Sequence, residues 1–128
     1  MKQILLLIFL TAFTCSVQAK SFCNRQSHDS EFPPGLVGNY EVIGKDPVSG
    51  NAYTGALTIN SGKTSYLLTR TIGKRSVNGE AWIEHCGMDK IVVLIARYYD
   101  RPTIEVGCTI NMDGDNYNRI TCRTRKAG

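Results

Sequence analysis

Residues 103–112 read Thr-Ile-Glu-Val-Gly-Cys-Thr-Ile-Asn-Met, and their alternation decides the fold class. Apolar or sulfur-containing side chains occupy every second position from Ile104 to Met112, and polar residues or glycine occupy the positions between. A period of two places successive side chains on opposite faces of an extended chain. The stretch therefore predicts a β-strand with one face in a core and the other in solvent.

A second strand is predicted at 117–124, after the turn-forming run Asp-Gly-Asp-Asn at 113–116. With the turn centred near Asp115, Cys108 lies opposite Cys122 and both side chains point to the inward face. Cysteines directly opposite each other on antiparallel strands are within bonding reach. This hairpin therefore favours a Cys108–Cys122 disulfide.

The same alternation recurs earlier in the chain, interrupted by short turns rich in glycine and asparagine. Further strands are predicted at 38–43, 52–59, 65–72, 76–85 and 90–99. The unbroken apolar run Ile91–Ala96 is typical of a strand covered on both faces. We predict an all-β domain: a single antiparallel meander of about seven to eight strands that forms a small barrel or sandwich with two disulfides.

The N-terminus has the three-part pattern of a secretory signal peptide. Lys2 gives a positive start, residues 4–13 are apolar and uncharged, and Val17-Gln18-Ala19 suits a signal peptidase. The apolar stretch is too short for a membrane-spanning helix, which needs about 20 residues. We predict a signal peptide at 1–19, an extended lead-in at 20–34 and a β domain at 35–128, in a periplasmic or secreted protein without a stable membrane anchor.

Four cysteines remain after the predicted cleavage, and they allow three pairings. An even number in a small exported chain is typical of disulfides. Cys23 is left to pair with Cys86 if the hairpin pairing holds. No two cysteines have zinc-site spacing, and neither histidine lies at a zinc-finger distance from them. No metal and no cofactor is predicted.

Charge and residue spacing disfavour nucleic-acid binding and catalysis. The formal net charge is +4, and the basic residues are spread along the chain rather than gathered in a stripe. His85 lies beside Glu84 and Cys86, but neighbours on a strand point to opposite faces, so no nucleophile and base are expected to meet there. We expect a protein without enzymatic activity.

Two segments are candidate partner-binding sites. The strand end and turn at 98–102 contains Tyr98, Tyr99 and Arg101, and tyrosine and arginine commonly anchor protein interfaces. An ordinary turn with one tyrosine packed inward is the alternative interpretation. The loop at 45–51 and the strand after it offer Ser49, Asn51 and Tyr53, because binding residues often lie on loops held by a rigid scaffold.

The stretch Ser49-Gly50-Asn51-Ala52-Tyr53 resembles the Ser-Gly-x-x-Tyr stretch of bacterial periplasmic inhibitors of c-type lysozymes. The match covers these five residues. In that family the loop bearing the stretch enters the active cleft of the enzyme. The resemblance implies a protein partner and an inhibitory role for this loop.

Two functional hypotheses follow. The first is an exported binding protein that acts as an inhibitor or immunity protein against an exported hydrolase or toxin. The alternative is a carrier of a small lipophilic ligand, with a lipocalin-like cavity lined by strand tyrosines. A packed interior with a conspicuous loop favours the first hypothesis, and a hollow interior favours the second.

Overall fold

The computed structural model describes residues 22–46, 48–112 and 118–125. Its strands in chain order are β1 (Cys23–Arg25), β2 (Gly38–Lys45), β3 (Ala52–Ser61), β4 (Tyr66–Ile72), β5 (Arg75–Cys86), β6 (Ile91–Tyr98), β7 (Ile104–Met112) and β8 (Asn118–Thr124). The all-β prediction is confirmed, and the boundaries of β2 to β8 differ from the predicted ones by no more than two residues. The signal peptide predicted at 1–19 and the turn predicted at 113–116 lie outside the described residues.

The strands form one continuous antiparallel sheet that curls into a half-barrel, rather than two packed sheets. From β2 to β8 each strand pairs with the next in the chain. The short strand β1 was not predicted as a separate element, because it contains only three residues of the extended lead-in. It pairs with β5 at Glu84–Cys86, beyond the part of β5 that pairs with β4.

The core fills the concave side of the sheet, because the inward positions of neighbouring strands share one face. Its buried members are Leu36, Ile59, Tyr66, Leu68, Val77, Ala81, Ile83, Leu94, Ala96, Tyr98 and Cys108. These side chains occupy the interior of the half-barrel. Burying a large apolar side chain of this kind contributes about 1.5–3 kcal/mol to the stability of the fold.

The middle of β6 is covered on both faces, as its apolar run predicted. Leu94 faces the core, while Ile95 is 2 % exposed on the convex face, where it pairs with Trp82 of β5. Two guanidinium groups lie over the Trp82 ring, with the Cζ of Arg25 4.5 Å and that of Arg97 5.0 Å from the ring centroid. This cation–π stack supplies the cover on the convex face.

Both predicted disulfides are confirmed. Cys108 lies opposite Cys122 in the β7–β8 register, and Cys23 lies opposite Cys86 in the β1–β5 register. Two disulfides are consistent with an oxidising extracellular or periplasmic environment. In the described part of the chain, no helical segment has the length and hydrophobicity of a membrane span.

The meander begins and ends with the edge strands β2 and β8, while β1 pairs with β5 alone. The lead-in contacts β8 near its start, since Asn118 Nδ2 donates to the Pro34 carbonyl at 3.1 Å. The residues that follow it contact β2, since the Tyr40 hydroxyl donates to the Leu36 carbonyl at 2.6 Å. Leu36 is buried and belongs to the core. The lead-in thus packs at the end of the half-barrel where β2 and β8 begin.

Candidate functional site

Internal hydrogen bonds hold the β2–β3 loop in one conformation. Asp46 Oδ1 accepts from the backbone N–H groups of Val48 and Ser49, each at 2.8 Å. The Gly50 N–H donates to the Asp46 carbonyl at 2.9 Å, and the Asp46 N–H donates to the Asn51 carbonyl at 2.8 Å. Gly50 has a φ of 73°, in the left-handed region that glycine adopts at little cost. These bonds order the described part of the loop, residues 46 and 48–51, without a partner.

Val48 is the most exposed apolar side chain of this loop, at 96 %. Ser49 and Asn51 beside it are also exposed, as predicted for partner-binding residues. Tyr53 is half-buried, and its ring crosses the position that a Cβ of Gly44 would occupy on the opposite strand. Glycine at position 44 therefore lets the tyrosine ring pack flat across the base of the loop.

The tyrosines after β6 have different environments. Tyr98 is 5 % exposed and packs inward, with the Cζ of Arg70 4.2 Å from its ring centroid. Burial raises the pKa of Tyr98 and outweighs the opposing effect of the Arg70 charge. Tyr99 is exposed, and a hydrogen bond to Glu80 raises its pKa. Arg101 is exposed as well, so of this segment Tyr99 and Arg101 are accessible to a partner.

The predicted partner-binding residues lie at one end of the half-barrel. In an antiparallel meander, alternate connections share an end, so the connections β2–β3, β4–β5 and β6–β7 lie together. We call this end the loop rim, defined by residues 46, 48–51, 73–74 and 99–103. An ion pair between Arg75, the first residue of β5, and Asp100 links the start of β5 to the β6–β7 connection. A small cleft of about 190 Å³ lies beside this ion pair.

The pH should control the order of the β2–β3 loop. Backbone hydrogen bonds from Ser49 and Val48 lower the pKa of Asp46 below its ordinary 3.8. Because the pKa of the Asp46 carboxyl is lower in the folded protein than in the unfolded chain, the ionised carboxylate stabilises the loop at pH values above 3.8. This stabilisation is lost as the pH falls through the lowered pKa of Asp46 in the folded protein.

An NMR titration tests this expectation. The amide resonances of Val48 and Ser49 should shift together, with a midpoint below 3.8. Asp46→Ala should abolish that transition, whereas Asp89→Ala in the β5–β6 turn should preserve it. A midpoint at or above the ordinary aspartate value would contradict the role of Asp46.

A second cleft, of about 340 Å³, lies at the opposite end under the lead-in. Its lining includes His28, His85 and Tyr66, and no pattern in the sequence predicted that the two histidines would lie together. His28 Nε2 hydrogen-bonds to Ser61 Oγ at 3.1 Å, and its ring meets that of Tyr66 edge-on at a centroid distance of 4.7 Å. Within the described residues no carboxylate hydrogen-bonds to His28, so the third member of a hydrolytic triad is missing there.

One cluster has the composition of a metal site but not its chemistry. Potential ligand atoms of Cys23, Glu84 and Cys86 lie within 4.8 Å of one another. The two sulfurs are bonded to each other as a disulfide. Since the thiolate is the metal-binding form of cysteine, this cluster offers no sulfur ligand while it is oxidised.

Sequence reasoning identified the exposed loop but missed the residue that orders it. Aspartate often accepts hydrogen bonds from backbone groups two and three residues later, so Asp46 was a usable signal for an ordered turn. Val48 carries no sequence signal beyond an apolar residue in a polar loop. The histidine cleft depends on how the lead-in packs across the sheet, which local periodicity does not report.

The fold and the loop rim define a class: a small disulfide-bonded β half-barrel with a filled interior and an ordered exposed loop. Comparisons with known protein families, with curated proteins and with solved structures found no match to this chain. Its function is therefore inferred from the contacts, burial and charge of its own residues.

Proposed function

We propose that this protein is an exported, non-enzymatic binding protein that inhibits an exported hydrolase or gives immunity to a toxin of that kind. The β2–β3 loop would enter the cleft of the enzyme. The observation that carries this proposal is the hydrogen-bonded loop that displays Val48 almost fully exposed. A loop that is ordered before binding loses little conformational entropy when it binds.

The chemistry of the loop suits a cleft that contains carboxylates, as those of glycosidases do. Ser49 Oγ accepts from the Asn51 N–H at 3.2 Å, and the Ser49 side chain also hydrogen-bonds to Asp46, so this polar group is held in place on the exposed loop. Lys45, at the base of the loop, is exposed and positively charged. Val48 would fill an apolar subsite between these polar groups.

The packed interior favours a protein partner over the carrier alternative. Leu36, Ile59 and Tyr66 are each 1 % exposed inside the half-barrel. The larger cleft, about 340 Å³, lies beneath the lead-in and is only at the lower limit of the range typical of small-molecule sites. A lipophilic carrier would need an apolar space in the region that these side chains fill.

Substitution of Val48 tests the proposal. Protein purified after export is titrated into a c-type lysozyme and a panel of other exported hydrolases, and the rate of substrate hydrolysis is measured. Val48→Asp should weaken inhibition by about 30-fold or more, because it places a charge in a buried contact of the complex. Met88→Asp is the matched control, since Met88 is also 96 % exposed but lies in the turn between β5 and β6 at the opposite end.

The two variants separate a loop effect from a general effect of added charge. Met88→Asp should inhibit as strongly as the wild type. The proposal is wrong if the wild type inhibits no hydrolase of the panel, or if Val48→Asp and the wild type inhibit equally.

A further inference from the structure

We propose that two copies of this chain associate edge to edge through β2, in an antiparallel pairing centred on Ile43. Within the described residues β2 pairs with β3 on one side, and its other edge has no backbone partner. A free strand edge presents unpaired N–H and C=O groups to any second strand. This proposal does not depend on the inhibitory role of the loop.

Ile43 makes the edge unusual. It is 79 % exposed on the convex face of β2, next to the end of the strand. Soluble proteins commonly protect exposed edges with lysine, proline, a bulge or a short strand. β2 carries one such lysine, Lys45, but it is eight residues long and presents a β-branched apolar side chain, which suits strand pairing, two residues from that lysine.

The charges flanking Ile43 determine the partner. Glu41 and Lys45 lie two residues to either side and are exposed on the same face. A two-fold axis through Ile43 places the two isoleucines opposite each other. It also places Glu41 of each copy opposite Lys45 of the other. The edge is therefore complementary to itself, as an isologous dimer requires.

Neighbouring registers lose this complementarity. Opposite residues in a sheet share a face, so only registers that keep Glu41, Ile43 and Lys45 convex leave the core face intact. Centring the pair on Glu41 would oppose two carboxylates. The other edge strand shows the contrast, because centring β8 on Thr121 would oppose Arg119 and Arg123, which carry the same charge.

Charge reversal tests the register by analytical ultracentrifugation. Wild-type protein should form dimers in a concentration-dependent way. Glu41→Lys and Lys45→Glu should each weaken the dimer about tenfold, because each creates two like-charge pairs. The double variant Glu41→Lys/Lys45→Glu should restore dimer affinity to that of the wild type. An equimolar mixture of the two single variants should form a heterodimer more tightly than either forms a homodimer.

A second pair of variants tests the edge itself. Ile43→Lys should abolish the dimer, whereas Leu67→Lys should preserve it. Leu67 is 51 % exposed on β4, which pairs with a strand on both sides. A wild type that stays monomeric up to millimolar concentration would overturn the proposal. The formation of open-ended polymers would overturn it as well, and so would a mixture of the two single variants that forms no heterodimer.

Discussion

Replacement of both Cys23 and Cys86 with alanine is expected to lower the free energy of unfolding by about 4 kcal/mol. This disulfide joins residues separated by 63 positions, and the entropy that a cross-link removes from the unfolded chain grows with the length of the closed loop. Typical domains are stable by only about 5–15 kcal/mol, so the loss would be a large part of the total.

The same change should release the lead-in. Only three residue pairs join β1 to β5. The flanking backbone bonds, from Gln26 N–H to the Ile83 carbonyl and from Gly87 N–H to the Phe22 carbonyl, lie on either side of the cross-link. Without the disulfide, β1 is held to β5 by non-covalent contacts only.

Denaturant unfolding, followed by the fluorescence of Trp82, measures the loss. Trp82 is the one tryptophan of the chain, and it stacks on Arg25 of β1. The comparison variant replaces Cys108 and Cys122, whose separation of 14 predicts a smaller loop-closure effect of about 3 kcal/mol. A loss below about 1 kcal/mol for the Cys23/Cys86 variant would contradict the expected role of this disulfide.

Tyr66→Ala is expected to cost about 3–5 kcal/mol of stability, the range measured when a large buried aromatic side chain is removed. Tyr66 is among the largest fully buried side chains of the core. Its hydroxyl lies 2.8 Å from the Phe32 carbonyl and 3.0 Å from the Asp29 carbonyl, so it also fixes the lead-in. Tyr66→Phe should cost about 1 kcal/mol, because it removes only the hydroxyl donor.

Thermal and chemical unfolding of these variants, with Tyr99→Ala as the exposed control, gives the comparison. Tyr99→Ala should change stability by no more than about 0.5 kcal/mol. Burial raises the pKa of the Tyr66 hydroxyl above its ordinary 10.0. The stability that depends on the protonated hydroxyl is therefore fully present below pH 10.0 and is lost as the pH rises through the raised pKa. Equal stability of Tyr66→Ala and the wild type would show that the lead-in is not anchored through this residue.

The sequence predicted the strands well, because alternation is a local property. The β7–β8 hairpin shows this most clearly: Cys108 faces Cys122 and Ile110 faces Ile120, as the turn position predicted. Alternation also assigned Val77, Ala81 and Ile83 to the core face. It could not distinguish a barrel from a sandwich, because it states which face is apolar but not how strongly the sheet curls.

The candidate site was predicted less completely. Ser49 and Asn51 are exposed as expected, but the tyrosines at 98 and 99 could not be ranked from the sequence. They follow an apolar run without alternation, which hides which of the two shares the face of Leu94. Pairing with β7 assigns Tyr98 to that face and leaves Tyr99 outside.

The alternation of turns between the two ends of the sheet has a practical consequence for attaching the molecule to a surface. Phe22 and the start of β1 lie by Cys86, at the end far from the β2–β3 loop. β8 starts at that same end and runs away from it, so Arg125 lies beside Glu105, near the end that carries the loop. A tether at the beginning of the described chain would present the loop outward, whereas a bulky fusion after Arg125 would stand next to it.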